Sequence, residues 1–147
     1  MTGWRLGYLT APTHLVEVCT NLQSNVLTSA STFSQHAIAR TMHLVETDVR
    51  DMVAEFKRRR DFVVSELHKL GFKCKTPQSA FYAWPEVPAP YDGSEIARKL
   101  LKEAFVATTP GEAFGPNSRR FTRISFGNVS YERTVEAFER ISRLNLS

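Results

Sequence analysis

A long helical pattern over residues 33–70 constrains the fold of this chain more than any other feature of its sequence. Apolar residues recur there every three to four positions, which is the spacing that places them on one face of an α-helix. Thr47 and Asp48 interrupt the pattern with side chains typical of a helix cap, so we expect either a kink or two consecutive helices. Gly71 follows directly, as a C-terminal cap would.

Short apolar segments and two further helical patterns alternate after this stretch. The segments predicted to be strands are residues 72–75, 80–84, 105–108 and 120–126. The helical patterns begin at the capping residues Asp92 and Ser130 and run to about residues 104 and 144. This order predicts an α+β fold in which helices pack on one face of a small sheet.

The first part of the chain has a different character. Residues 4–10 have the composition of a short strand, residues 12–21 have the spacing of an amphipathic helix, and residues 24–32 form a polar stretch. We expect that stretch to be a loop that ends in a helix cap. The lone strand and helix have no nearby partner for their hydrogen bonds. The character of the sequence changes near residue 46, so we expect a domain boundary that separates residues 1–46 from residues 47–147.

Charge leaves two kinds of partner open. The chain of 147 residues carries a net charge of +4, which suits nucleic acid or a small anion. The densest basic run, residues 57–60, lies within the helical pattern between Glu55 and Asp61 and has no aromatic residues interleaved with it. We interpret it as a solvated helix face and expect no nucleic acid partner.

The cysteines, the histidines and the hydropathy argue against a metal-binding, redox or membrane protein. Cys19 and Cys74 are far apart, which predicts free thiols and neither a zinc site nor a redox pair. His36 and His43 could share a helix face but have no evident third ligand, so we expect no metal site. No apolar run approaches the roughly 20 residues that span a bilayer, and no signal peptide is evident. We expect no membrane partner and a cytoplasmic location.

Two arginines are the candidate binding residues. Arg5 is followed by Leu6 and Gly7, where a small residue lets the backbone approach a ligand closely, and its guanidinium offers a planar set of donors suited to phosphate. Alternation along residues 121–126 predicts that Arg123 is held among apolar neighbours on a strand. Its charge then needs an anionic partner, either an internal carboxylate or a ligand. The residues alone leave both alternatives open for Arg123 and favour a surface arginine for Arg5.

Short motifs connect these arginines to a known family. Residues 1–7 read M-T-G-W-R-L-G, residues 123–126 read R-I-S-F, residues 110–115 read P-G-E-A-F-G and residues 77–82 read P-Q-S-A-F-Y. The first resembles S-K-x-x-x-M-T-G-W-R-x-G of the class I pyridoxal-phosphate aminotransferases. The others resemble R-[IL]-S-[FY], P-G-x-x-F-G and P-x-G-A-F-Y of the same family. Ser79 stands in place of a glycine in the last motif, so a strained backbone angle is not expected at that residue.

The resemblance implies a fold and a site. The fold is the small C-terminal domain of a fold-type I enzyme, closest to the aspartate aminotransferases, preceded by a strand and helices of the large domain. Pyridoxal 5'-phosphate is implied as the cofactor of the full-length protein, with Arg5 on its phosphate and Arg123 on the α-carboxylate of an amino acid or 2-oxo acid substrate. Residues 24–32 correspond to a loop that reaches toward the partner's active site in a homodimer.

The same pattern carries the Schiff-base lysine a few residues before the position of Met1, so we expect no catalytic residue within this chain. We interpret it as a truncated fragment of an amino-acid:2-oxo-acid aminotransferase that is inactive by itself and binds no cofactor. Two alternatives stay open. One is a non-catalytic module that folds and dimerises, and the other is the effector domain of a transcription regulator that resembles an aminotransferase.

Overall fold

The computed structural model describes residues 2–146, so Met1 of the first motif lies outside the described residues. The regular elements of this part of the chain are α1 (Thr13–Val26), α2 (Thr32–Thr41), α3 (Glu46–Lys69), β1 (Tyr82–Ala83), α4 (Gly93–Ala104), β2 (Thr109–Pro110), β3 (Thr122–Ser125) and α5 (Tyr131–Ser142). Short 3-10 helices add Thr2–Trp4, Met42–Leu44, Gly111–Phe114 and Pro116–Ser118. No helix within residues 2–146 is both long and apolar enough to cross a membrane.

The chain divides into two compact units, Met1–Arg50 and Asp51–Ser147. The N-terminal unit contains α1, α2 and the start of α3, and none of residues 3–50 is buried. Large apolar side chains are exposed along this unit instead, among them Tyr8, Val18 and Phe33. Its helices therefore present apolar side chains without a core of their own.

The strand predicted over residues 4–10 is wrong. Thr2–Trp4 form a 3-10 turn, and residues 5–12 have no regular structure. Arg5 has a φ of 53°, which lies far from the extended region that strands require. A strand is stable only where a neighbouring strand pairs with it, and the described residues of the N-terminal unit contain none.

The polar stretch over residues 24–32 is a loop only in part, because α1 continues to Val26. The hydroxyl of Ser24 donates to the carbonyl of Thr20 at 2.8 Å. Polar side chains at the end of α1 thus bond to carbonyls of their own helix and do not end it early. The loop itself is limited to residues 27–31.

Two consecutive helices are confirmed, but the interruption lies before Thr47 and Asp48. α2 ends at Thr41, a 3-10 turn covers Met42–Leu44, and α3 begins at Glu46. The acidic residues Glu46 and Asp48 then lie in the first turn of α3, where they interact favourably with the helix dipole. The cap-like residues therefore belong to the first turn of a helix that has already begun.

The strands of the C-terminal unit form an antiparallel sheet in the order β1-β3-β2. Tyr82 of β1 pairs with Ser125, and Thr109 of β2 pairs with Arg123. The strands predicted near β1 and β3 are confirmed, although each is shorter than predicted. The central strand β3 thus brings Arg123 between the two edge strands.

The strands predicted over residues 72–75 and 105–108 are wrong. Lys73 forms only an isolated bridge, to Glu86, and β2 begins one residue after the second segment. Phe105 ends α4 in the left-handed conformation with a φ of 57°. The chain therefore turns sharply at the end of the helix before it can enter the sheet.

The core of the C-terminal unit lies between the sheet and helices α3, α4 and α5. Both predicted caps are formed, since Asp92 accepts from the backbone of Glu95 at 2.8 Å and Ser130 from that of Arg133 at 3.3 Å. The buried apolar side chains are Val63, Val64, Leu67, Phe72, Cys74, Ala83, Val87, Ile96, Leu100, Ala104, Ile124, Phe126, Phe138, Ile141 and Leu146. The predicted α+β fold, with helices on a small sheet, is confirmed.

Candidate functional site

Strand β3 presents Arg123 on the side of the sheet away from the core. Thr122 and Ile124 are buried, whereas Arg123 and Ser125 are half-buried, which is the alternation predicted from the sequence. The hydroxyl of Thr122 is also satisfied, by the carbonyl of Thr109 at 3.1 Å. This buried contact joins β3 to β2 directly beneath Arg123.

Aromatic rings lie against the guanidinium of Arg123. Its Cζ atom lies 4.5 Å from the ring centroid of Tyr82 and 4.8 Å from that of Phe114. Nη2 donates a hydrogen bond to the hydroxyl of Thr109 at 3.4 Å. No carboxylate of residues 51–146 forms an ion pair with Arg123. The charge of this half-buried group is therefore not neutralised within its own unit, and donors in its plane are available to an anion.

Two more rings extend this arrangement. Trp84 packs edge to face on Phe114, with centroids 5.2 Å apart, and stacks on Phe121, with centroids 5.8 Å apart. We refer to Tyr82, Trp84, Phe114 and Phe121 as the aromatic cluster. Two rings of the cluster, Tyr82 and Phe114, lie against the cation, and Trp84 and Phe121 extend the apolar surface beside them, which suits a ligand that has both an anionic and an apolar part.

Phe114 is positioned by the loop that contains the P-G-E-A-F-G motif. The backbone N–H of Gly111 donates to the carbonyl of Phe121 at 2.9 Å, and a Cβ atom at Gly111 would collide with the carbonyl oxygen of Ser118. Only glycine permits this close approach of two backbone segments. The motif glycine therefore sets where Phe114 meets Arg123.

A polar network fastens the same loop to the start of α4. Arg119 forms ion pairs with Asp92 at 3.1 Å and with Glu112 at 3.8 Å. The pKa of Asp92 is lowered, chiefly because its carboxylate accepts a hydrogen bond from the backbone N–H of Glu95, with a further contribution from Arg119. Asp92 thus serves both as the cap of α4 and as an anchor for the loop.

Tyr82 is positioned by the turn that contains the P-Q-S-A-F-Y motif. Ser79 has no positive φ, as predicted, and the left-handed conformation falls on the next residue, Ala80, with a φ of 60°. Phe81 then packs on Gly127 so closely that a Cβ atom there would lie 2.7 Å from the ring. This contact at the end of β3 fixes β1 beside it and so aims Tyr82 at Arg123.

Arg5 lies in the N-terminal unit, and its side chain is exposed. Its left-handed backbone is unusual for a residue with a side chain and costs about 1 kcal/mol. Within residues 2–50, no hydrogen bond or ion pair engages its guanidinium. The group is therefore accessible to an anion.

Sequence reasoning selected Arg123 and missed its neighbours Tyr82 and Thr109. Phe114 lies in a motif that the sequence identified, but its contact with the guanidinium was not predicted. Alternation along β1 was the available signal, because it puts Tyr82 on the same side of the sheet as Arg123. The pairing of β2 with β3 depends on contacts between distant residues and left no local signal.

Comparison with known proteins identifies the family. Residues 1–141 match the family described as aminotransferase class I and II. A (5-formylfuran-3-yl)methyl phosphate transaminase from Methanocaldococcus jannaschii is 41% identical over 142 residues, which cover 96% of this chain and 38% of that protein. Aromatic-amino-acid aminotransferase 2 from Thermococcus litoralis is 35% identical over 98% of this chain and 38% of its own length.

Solved structures agree with the sequence relatives. The crystal structure of an aromatic aminotransferase from Pyrococcus horikoshii OT3 is 36% identical and matches with a TM-score of 0.81 over 97% of this chain and 39% of that one. The chain therefore belongs to the class I and II aminotransferases, and it spans 38% of the length of the two sequence relatives and 39% of the Pyrococcus horikoshii chain. The resemblance to fold-type I aminotransferases is confirmed.

Proposed function

We propose that this chain is part of an enzyme that transfers an amino group between an amino acid and a 2-oxo acid, and that Arg123 binds the α-carboxylate of both substrates. The observation that carries the proposal is the state of Arg123, which has rings against its guanidinium and no carboxylate partner in residues 51–146. A guanidinium can hold a carboxylate by two parallel hydrogen bonds. Such a pair fixes the orientation of the substrate about its α-carbon.

Aminotransferases of this family use pyridoxal 5'-phosphate, which carries the amino group from one substrate to the other when bound. The exposed guanidinium of Arg5, free of contacts within its own unit, fits the phosphate of that cofactor. The aldehyde group of the cofactor would need a lysine amine to react with. Residues 1–50 contain no lysine, because the six lysines of the chain all lie at residue 57 or later. We therefore propose Arg5 as a phosphate ligand and expect no transamination by the 147 residues alone.

Residues 1–46 correspond in this proposal to the last part of the large domain, and residues 47–147 to the small domain. The absence of buried side chains from residues 3–50 supports the assignment, since apolar helices of this kind need a covering surface. The rest of the enzyme and a second subunit would supply it. The loop at residues 27–31 is a candidate for contact with the partner subunit.

The role of Arg123 can be tested on the chain as it stands. We expect the Nε–H signal of Arg123 in a nitrogen-15 NMR spectrum to shift saturably when 2-oxoglutarate is added. Arg123→Gln should abolish binding, whereas Arg98→Gln, on the exposed side of α4, should leave it unchanged. Binding that survives Arg123→Gln would disprove the proposed role.

A further inference from the structure

A cavity of about 300 Å³ lies between β3, α5 and the segment that joins α4 to β2. Neither Arg123 nor any residue of the aromatic cluster lines this cavity. The volume is at the lower end of the range for pockets that bind small molecules. Core residues form the apolar part of its wall, namely Val63, Ile124, Phe138 and Ile141. An apolar group fits against this part of the wall.

Two arginines of α5 give the same cavity a positive charge. Arg133 and Arg140 are seven residues apart with Ala137 between them, so all three lie on one face of the helix. The small side chain of Ala137 leaves the cavity open between the two guanidinium groups. Among the residues of the described chain that line the cavity, none is an aspartate or a glutamate. The cavity therefore combines an apolar wall with two cations.

Both guanidinium groups have unused hydrogen-bond donors. The exposed side chain of Arg133 forms no ion pair or hydrogen bond with any residue of the described range 2–146. Nη1 of Arg140 donates to the carboxylate of Glu136 at 2.9 Å. Nε of Arg140, in contrast, is buried and has no hydrogen-bond partner among the described residues. An unsatisfied buried donor of a charged group costs free energy, and an acceptor in the cavity would recover that free energy.

Arg140 lies at the rim of the cavity. Its side chain keeps 34% of its surface exposed although its Nε is buried, so the guanidinium can turn without disturbing the core. A turn toward the cavity exchanges an unsatisfied N–H for a charge-assisted hydrogen bond to an anion. Asn128 adds a donor, because its amide oxygen accepts from the hydroxyl of Ser125 at 3.0 Å. With the oxygen so assigned, the amide nitrogen of Asn128 is available to a ligand.

We propose that this cavity binds a small organic anion, whose carboxylate accepts hydrogen bonds from Arg140 and whose apolar body packs on the core residues of the wall. Arg133 adds electrostatic attraction for the same carboxylate. An inorganic anion would leave the apolar wall uncovered, and a neutral apolar molecule would leave Nε of Arg140 without an acceptor. The inference does not depend on the function proposed for Arg123.

The test titrates cyclohexanecarboxylate into the 147-residue chain and follows the Nε–H signal of Arg140 in nitrogen-15 NMR spectra. We expect a saturable shift, and at least about tenfold weaker binding of neutral cyclohexanecarboxamide and of inorganic phosphate. Equal affinity for the amide would show that charge plays no part, and equal affinity for phosphate would show the same for the apolar wall. Either result, or the absence of a saturable shift, would overturn the inference.

Substitutions then locate the site, with the amide signals of Ser125 and Asn128 as the readout. Arg140→Lys keeps the positive charge but has no Nε–H, so it should weaken cyclohexanecarboxylate binding about tenfold. Arg143→Gln is the matched control, because Arg143 is exposed directly after α5 and does not line the cavity. It should leave the affinity within about twofold, and so should Arg123→Gln. Binding that survives Arg140→Lys unchanged and is lost in Arg123→Gln would place the acid at Arg123. That result would overturn this inference and leave the proposed function intact.

Discussion

The hydroxyl of Ser94 donates a hydrogen bond of 2.7 Å to the carboxylate of Glu112. Ser94 lies in the first turn of α4, and Glu112 lies in the 3-10 turn that carries Phe114. One short contact thus joins a helix of the core to the 3-10 turn whose Phe114 lies against Arg123. It is one of several contacts that hold this turn, together with the ion pairs of Arg119 and the close approach at Gly111.

Ser94→Ala should loosen this loop without unfolding the unit. We expect a loss of about 1 kcal/mol of stability and faster amide hydrogen exchange at Gly115 and Ser118, whose N–H groups are bonded within the loop. Ser142→Ala is the matched control, because that hydroxyl donates only to a carbonyl of its own helix. Exchange rates in the loop that are equal in the two variants would refute the anchoring role.

Gly111→Ala should be strongly destabilising. Its Cβ atom would meet the carbonyl oxygens of Ser118 and Phe121, so the loop must separate from β3 at a cost of about 3 kcal/mol. The free energy of unfolding in urea measures the effect. Ala113→Ser adds a single atom to an exposed residue of the same turn and should change that free energy by less than about 0.5 kcal/mol. Similar losses in both variants would contradict the close approach at Gly111.

Adjacent leucines of α4 offer a matched test of the core. Leu100 is 1% exposed and Leu101 is 54% exposed. Leu100→Ala should lower the free energy of unfolding by about 3 kcal/mol, because it removes a buried side chain and leaves a cavity. Leu101→Ala should lower it by less than about 1 kcal/mol. A reversed order would mean that α4 is rotated about its axis.

The structure was predictable from sequence where the signal is local. Asp92 and Ser130 mark the starts of α4 and α5, and alternation along β3 puts Arg123 on the correct side of the sheet. The left-handed conformations of Arg5 and Phe105 were not predictable, because neither residue type favours them. Of the three wrongly predicted strands, residues 4–10 and residues 105–108 each contain one of these left-handed residues, and residues 72–75 form only an isolated bridge at Lys73.

The same difference between local and long-range signals explains why the contacts of Arg123 were not predicted. Arg123 was found through a motif, whereas its contacts with Tyr82 and Phe114 join three distant parts of the chain. Those contacts depend on close approaches at Gly111 and Gly127, which sequence spacing does not encode. Local patterns therefore identified the cation, and only the assembled sheet identified its surroundings.

Stability should depend on Asp92 in acid. The pKa of Asp92 is lowered in the folded chain, chiefly by the hydrogen bond from the backbone of Glu95. At pH values between the folded and the unfolded pKa, the unfolded chain therefore binds more protons than the folded chain does. The stabilisation is complete above the ordinary aspartate value of about 3.9 and is lost as the pH falls through the folded value. Asp92→Asn keeps a capping side chain but cannot titrate. The stability advantage of the unsubstituted chain over Asp92→Asn should therefore shrink as the pH falls from the unfolded to the folded pKa of Asp92. A difference that stays constant with pH would contradict this role.

The most direct test of Arg123 is the activity of a chimera in which this chain replaces the matching 38% of the Methanocaldococcus jannaschii relative. With pyridoxal 5'-phosphate present, we expect transaminase activity, and we expect Arg123→Gln to lower kcat/KM about 100-fold through the loss of two charge-assisted hydrogen bonds. Arg98→Gln should retain full activity. An Arg123→Gln chimera that folds and is as active as the unsubstituted one would contradict the assignment of Arg123 as the carboxylate-binding residue.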